Sequence, residues 1–307
     1  MKSLLNLYTG DDWYRTQPLE TNGLDRSYAA WGRVMRRRKV QLVRASIHWY
    51  HKGRFTKYWI YDLAGKRWEK VRKPITPNGI YDKGRTHDPE TGEQLVSLLA
   101  KKREVAAHLR MINLPQFSEL VDNKLNQAII FSKAMPMTRL WLPGGVIHNP
   151  RKKHVVLKAL GGSGGTYVTI TQKKRVKVEH LSVQQEFIQA SNKGELKDYR
   201  VCFIGDEPIY VYNRVARPGS LYTNVHMGAA MEWMRLKDIP DLLKLCDQLM
   251  EPLRVFPKRV MSFDFLYDVK KHRPYLVETN TMPGTNNFSD ELLERFFSKV
   301  TTCVLSD

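Results

Sequence analysis

Residues 260–284 read Val-Met-Ser-Phe-Asp-Phe-Leu-Tyr-Asp-Val-Lys-Lys-His-Arg-Pro-Tyr-Leu-Val-Glu-Thr-Asn-Thr-Met-Pro-Gly. The pattern predicts two antiparallel strands, 261–267 and 275–280, joined by a polar turn. Side chains alternate along a strand, so Ser262, Asp264 and Leu266 share one face and Phe263, Phe265 and Tyr267 the other. On the second strand Leu276, Glu278 and Asn280 share a face. If the two polar faces coincide, Asp264, Glu278 and Asn280 offer three oxygen ligands. A hard octahedral cation such as Mg²⁺ takes such a set, with water and phosphate in the remaining positions. Two carboxylates on neighbouring strands also suit a plain solvated face, and residues upstream decide between the two readings.

Upstream lies Val155-Val156-Leu157-Lys158-Ala159-Leu160, then Gly161-Gly162-Ser163-Gly164-Gly165, then the extended stretch Tyr167–Ile170. Strands on both sides of the glycines predict a hairpin flap, unlike a Walker loop, which feeds a helix and ends in Gly-Lys-Ser/Thr. Glycines let backbone amides wrap an anion. Lys158 in an apolar strand needs an anionic partner, because an unpaired buried ammonium is costly. A phosphate beneath the flap meets that need and favours the metal reading of the acidic cluster.

Around these stretches, a helix from about Asp122 presents Leu125, Ala128, Ile129 and Ser132 on one face. Val183–Ile188 reads as a strand, and Tyr199–Ile204 and Ile209–Val215 as a hairpin carrying Arg200 and Arg214. A polar, glycine-bearing loop covers 216–229. The helix of 239–255 starts near Asp238 or Pro240, and a last helix begins near Ser289. In the first third, Thr91-Gly92-Glu93-Gln94 has the form of a capping box ahead of Leu95, Leu98, Leu99, Val105, Ala106 and Leu109.

The 307 residues carry a formal charge of +19, of which residues 1–115 hold +12, from 23 Lys and Arg against 11 Asp and Glu. Such a field favours an anionic partner without saying which. Residues 33–73 alone hold fourteen Lys or Arg among Trp49, Tyr50, Phe55, Tyr58, Trp59, Tyr61 and Trp68. Two readings stand. The rings stack on single-stranded nucleic acid, or a hairpin over 58–71 packs them inward with cations in water. No apolar run is long enough to cross a bilayer, and Met1–Asn6 is too short and polar for an export signal. Three widely spaced cysteines, Cys202, Cys246 and Cys303, predict a reducing, cytoplasmic setting without disulfides.

The order Lys124, Lys158 before a glycine flap, Gln185-Glu186-Phe187-Ile188, Asp198-Tyr199-Arg200, then Asp264 and Glu278-Thr279-Asn280 before Pro283-Gly284 resembles the ATP-grasp superfamily. The resemblance is to the ribosomal-protein glutamate ligase and glutathione synthetase branch. Gly219–Gly228, with its Asn224-x-His226-x-Gly228, is similar to that branch's substrate loop, though Tyr222 stands where those ligases tend to carry Arg. Ile80-Tyr81-Asp82-Lys83-Gly84 is similar to a segment of spore-coat-associated ATP-grasp proteins.

The resemblance covers about residues 120–284 and implies an α+β ATP-grasp fold preceded by a smaller N-terminal α/β domain. The expected units are a basic N-terminal domain over 1–117, a small flap-bearing subdomain over 118–188 and a metal-bearing subdomain over 189–307. It further implies that Lys124 and Lys158 hold ATP phosphates under the flap Gly161, Gly162, Ser163, Gly164 and Gly165. Glu186, Phe187 and Ile188 would read adenine, and Asp198 would lie near the ribose or the substrate. Arg214 would stabilise the transferred phosphoryl group, and Asp264, Glu278 and Asn280 would bind two Mg²⁺, which Mn²⁺ could replace. Arg200, Asn224 and His226 are candidate substrate contacts.

The implied activity is ATP-dependent carboxylate–amine ligation through an acyl phosphate, on an anionic or polymeric substrate. A kinase acting on an anionic small molecule is the second enzyme reading. A nucleic-acid-binding protein built on 33–73 is the third.

Overall fold

The computed structural model describes residues 1–18, 25–84, 95–161, 167–191, 195–281, 283–285 and 287–306. Its first unit is a six-stranded sheet in the order Arg67–Val71, Tyr58–Asp62, Val40–Ser46, Lys2–Tyr8, Gly79–Asp82 and Met111–Ile112. The four strands from Val40–Ser46 onward run parallel, and the first two form an antiparallel hairpin on one edge. Leu4, Leu5 and Leu7 in the central strand are fully buried, as a sheet covered by helices requires.

Helix α1 (Asp25–Arg37) and helix α2 (Val96–His108) flank this sheet in sequence. Leu98, Leu99 and Val105 of α2 are buried as expected, while the proposed capping box at 91–94 lies outside the described residues. The hairpin decides the question raised by its aromatic residues. Trp49, Tyr50, Phe55, Tyr58, Trp59 and Trp68 are all at most 5% exposed and belong to one core cluster. Rings packed this way cannot stack on bases, so the nucleic-acid reading of 33–73 is set aside. Strand alternation alone produced the basic–aromatic pattern.

Two short helices lead into the rest of the chain: α3 (Pro115–Asp122) and α4 (Lys124–Ile130). Only one helix was expected here, with Leu125, Ala128 and Ile129 turned inward. Instead Ile129 is 66% exposed, and α4 buries Lys124 and Gln127. The reversal has a polar cause. Gln127 Nε2 donates to the carbonyls of Val121 (2.7 Å) and Thr279 (3.3 Å), and its Oε1 accepts from Thr279 N–H.

A four-stranded antiparallel sheet follows, in the order Val168–Thr171, Val155–Ala159, Ser182–Gln185 and Thr138–Trp141. The expected strand over 183–188 therefore leaves the sheet after Gln185. A five-stranded antiparallel sheet completes the body: Ala230–Met234, Glu207–Val215, Lys197–Ile204, Val260–Asp268 and Arg273–Asn280. One face of it buries Val201, Phe203, Val211, Phe263, Phe265 and Leu276 with helix α5 (Pro240–Met250).

Helix α6 (Asp290–Leu305), capped by Ser289, returns to the first unit. Phe297 stacks on Trp31 of α1 at 4.7 Å between ring centroids, and Glu294 pairs with Arg33 and Arg37. The chain's last helix thus shares a core with its first strands. Among the described residues no helix is long and apolar enough to cross a membrane.

Candidate active site

The strands Val260–Asp268 and Arg273–Asn280 pair as the opening stretch predicts, with one departure. Asp264 stands opposite Glu278 and Ser262 opposite Asn280, but Phe265 stands opposite Leu276. Val277 is therefore an extra residue at a bulge, which shifts the alternation by one. Leu276 was expected beside Glu278, yet it turns to the apolar face and is fully buried. The bulge lets one strand feed the core and also present Glu278 and Asn280 on the face of Asp264.

Asp264 is 1% exposed and lies between two arginines. Arg200 binds it in a fork, Nε to Oδ1 at 2.6 Å and Nη2 to Oδ2 at 2.5 Å, and Arg214 Nη2 reaches Oδ2 at 2.9 Å. Burial alone would raise its carboxyl, but the two guanidiniums outweigh it and hold the group down at about 2. Arg214 also grips Asp198, Nε to Oδ1 at 2.7 Å and Nη2 to Oδ2 at 2.5 Å. Asp198 accepts a further hydrogen bond from Thr223 Oγ1 at 2.5 Å. Its carboxylate, expected toward a ribose or the substrate, is thus committed to Arg214 and Thr223.

Two lysines face the acids. Asn123 caps α4 by accepting from Leu125 N–H and Asn126 N–H, which sets Lys124 at the first helical position. The backbone N–H of Lys124 donates to Leu160 O, tying the helix start to the residue before Gly161. Lys124 Nζ lies 3.4 Å from Glu278 Oε1. Lys158 Nζ donates to Val277 O at 3.0 Å, so the bulge supplies the acceptor for this lysine. Burial brings the Lys158 ammonium down to about 8, with Lys124 adding to the fall and Glu278 opposing it.

Lys158, Asp198, Arg214, Asp264 and Glu278 line an inner chamber of about 110 Å³. Through Gln185, Glu186, Phe187 and Leu221 it shares its lining with an outer chamber of about 840 Å³, within the range of sites for small molecules and cofactors. Phe187 stacks on His154 at 4.3 Å between centroids, Glu186 pairs with Lys271, and Ile188 is buried. Asn224 lines the inner chamber from the loop 216–229. Residue 226 falls in a 3₁₀ turn, Val225–Met227, but its side chain lies outside the described set. So do Gly162, Ser163, Gly164 and Gly165, and Gly161 alone of the flap is described.

Among the described residues no trio of His, Cys, Asp and Glu forms a metal cluster. The candidate set is two carboxylates and one amide, and its chemistry suits Mg²⁺. Among the described residues Glu278 carries only the 3.4 Å contact to Lys124, and Asn280 Nδ2 is buried with no hydrogen bond. The side-chain oxygen of Asn280 is the atom that would serve a hard cation. Sequence reasoning missed Asn123, Gln127 and Thr223, and saw Tyr222 only as a departure from the related ligases. Their roles depend on which chain segment lies opposite, and no periodicity carries that.

Residues 146–295 match the family model for the RimK-like ATP-grasp domain. Among solved structures the chain is similar to D-cycloserine synthetase DcsG, with TM-score 0.62 and 12% identity over 97% of this chain and 98% of that one. It is also similar to a D-alanine–D-alanine ligase from Bacillus anthracis, with TM-score 0.60 and 12% identity over 99% and 96%. A RiPP-associated ATP-grasp ligase from Chryseobacterium gregarium, in complex with ADP and a leader and core peptide, gives TM-score 0.58 and 12% identity over 99% and 96%. At this identity the likenesses establish an ATP-grasp fold. A search of curated proteins gives no match.

Proposed function

We propose that this protein, which carries a RimK-like ATP-grasp domain, is an ATP-dependent ligase that joins a carboxylate to an amine. One observation carries the reading. Lys124, Lys158, Arg200 and Arg214 meet Asp198, Asp264 and Glu278 at one cleft between the four- and five-stranded sheets. Four cations against three carboxylates leave a positive site, which suits a nucleotide tail with a divalent ion.

The division of labour follows from charge. Lys124 and Lys158 hold phosphate oxygens, and Glu186 and Phe187 where the two chambers meet, with Ile188 on the inner one, take the adenine. Arg214 neutralises charge that spreads over the transferred phosphoryl group. Asp264, Glu278 and Asn280 would hold Mg²⁺, which when bound would supply further charge neutralisation. The carboxylate substrate attacks the γ-phosphorus and releases ADP. An amine then attacks the activated carbonyl, and phosphate leaves. The protein's work is positioning and electrostatics, and no Ser or Cys nucleophile is needed.

The relative solved with leader and core peptide, together with the +19 charge, supports a peptide or another polymeric anion as the acceptor. The test is incubation with ATP, Mg²⁺ and pools of amino acids and peptides, followed by phosphate assay and mass spectrometry. Free phosphate with an amide-linked product is expected. Phosphate retained on the substrate would instead show a kinase.

A further inference from the structure

Two adjacent side chains of the loop 216–229 reach opposite walls of the cleft. Tyr222 Oη accepts from Ile170 N–H at 3.3 Å and donates to Val168 O at 3.4 Å. Both groups belong to Val168–Thr171, the edge strand of the four-stranded sheet. The phenol therefore occupies hydrogen-bonding positions that an added strand would take. Thr223 Oγ1 donates to Asp198 Oδ2, the same oxygen that accepts from Arg214 Nη2. Asp198 Oδ1 takes Arg214 Nε. With Nη2 also reaching Asp264, the amine of Arg214 left for a ligand among the described residues is Nη1.

We propose that Tyr222 and Thr223 are positioning residues. They form a clasp through which seating of this loop against the nucleotide-side sheet sets the pose of Arg214 by way of Asp198. The proposal rests on the ligase reading above. A carboxylate gripping the Nε and Nη2 edge of a planar guanidinium fixes the direction of its remaining amine. The carboxylate's own orientation depends on its other donor, and here that donor sits on the loop. Asp198 thereby holds the arginine. A loop seated on the edge strand aims Nη1 into the cleft, and an unseated loop leaves Asp198 short of one hydrogen bond and free to turn.

Hydrogen exchange followed by mass spectrometry, with and without the ATP analogue Mg-AMP-PNP, tests the clasp on wild type, Thr223→Val and Thr223→Ser. In wild type, the analogue is expected to slow exchange at 168–171 and at 220–224 together, by about threefold or more. In Thr223→Val it should slow only 168–171, and Thr223→Ser should restore the paired response. Paired protection in Thr223→Val would overturn the clasp. So would no response at 220–224 in wild type, or a serine variant that behaves like valine. Failure of wild type to bind Mg-AMP-PNP would instead remove the ATP reading itself, so the two failures are distinguishable.

Discussion

Lys158 illustrates how one residue carries both a stability cost and a function. Its ammonium is drawn from the ordinary value of 10.5 down to about 8, chiefly by burial. The folded state therefore disfavours the charged form. Below pH 8 this penalty is present in full. Between pH 8 and 10.5 the unfolded chain binds a proton that the folded chain has released, so the penalty fades as pH rises. Lys158→Met is expected to be more stable than wild type by about 1–3 kcal/mol at pH 7, after allowing for the lost bond to Val277 O. The gap should close toward pH 10.5, read by urea denaturation across the range. A gap absent at pH 7, or one that widens above pH 8, would contradict the assignment. The same variant should bind Mg-AMP-PNP poorly if Lys158 holds phosphate as proposed.

At the scale of elements, α4 shows why placement matters more than helix length. Seven residues form a weak helix alone. Asn123 holds its first turn through two N–H groups, and Gln127 pins it to the strand bearing Glu278. Asn123→Ala is expected to cost about 1 kcal/mol of stability and to weaken Mg-AMP-PNP binding by freeing Lys124, as measured by calorimetry. Unchanged affinity would mean that Lys124 is held by other means. The existence and pairing of the strands around Asp264 and Glu278 were legible from alternation. The bulge at Val277 was not, because an extra residue declares itself only against its partner strand. Likewise α4's inward polar face reversed the apolar prediction, since Gln127 is bonded to the carbonyls of Val121 in the preceding helix and of Thr279 on a remote strand. The identities of the candidate ligands could be read directly. Their commitments, Asp198 to Arg214 above all, arise from segments brought together only in three dimensions.

In the whole molecule, α6 packs against the N-terminal sheet and shares its core. Phe296, Phe297, Val300 and Val304 are buried with Leu4, Trp31 and Ile80. The closest approach is at Gly79, where an added Cβ would meet Val304 Cγ1 at 2.1 Å. Gly79→Ala is therefore expected to lower stability by about 1–3 kcal/mol without touching the cleft, so melting temperature should fall while Mg-AMP-PNP affinity at 20 °C holds. Loss of affinity in the folded variant would show that this packing reaches the site.

The account as a whole depends on acids and cations from separate segments sharing one nucleotide. Asp264 is an ambiguous probe, because its removal strips Arg200 of its carboxylate in a buried setting and leaves Arg214 with Asp198 alone. Glu278, less buried and lightly contacted, is the better one. Calorimetric titration of wild type and Glu278→Ala with AMP-PNP, each with and without Mg²⁺, is the most direct measurement. Wild type should bind tightly only with Mg²⁺, and Glu278→Ala should stay folded yet lose that Mg²⁺ dependence along with most of its affinity. Equal, Mg²⁺-dependent binding by both proteins would contradict the site.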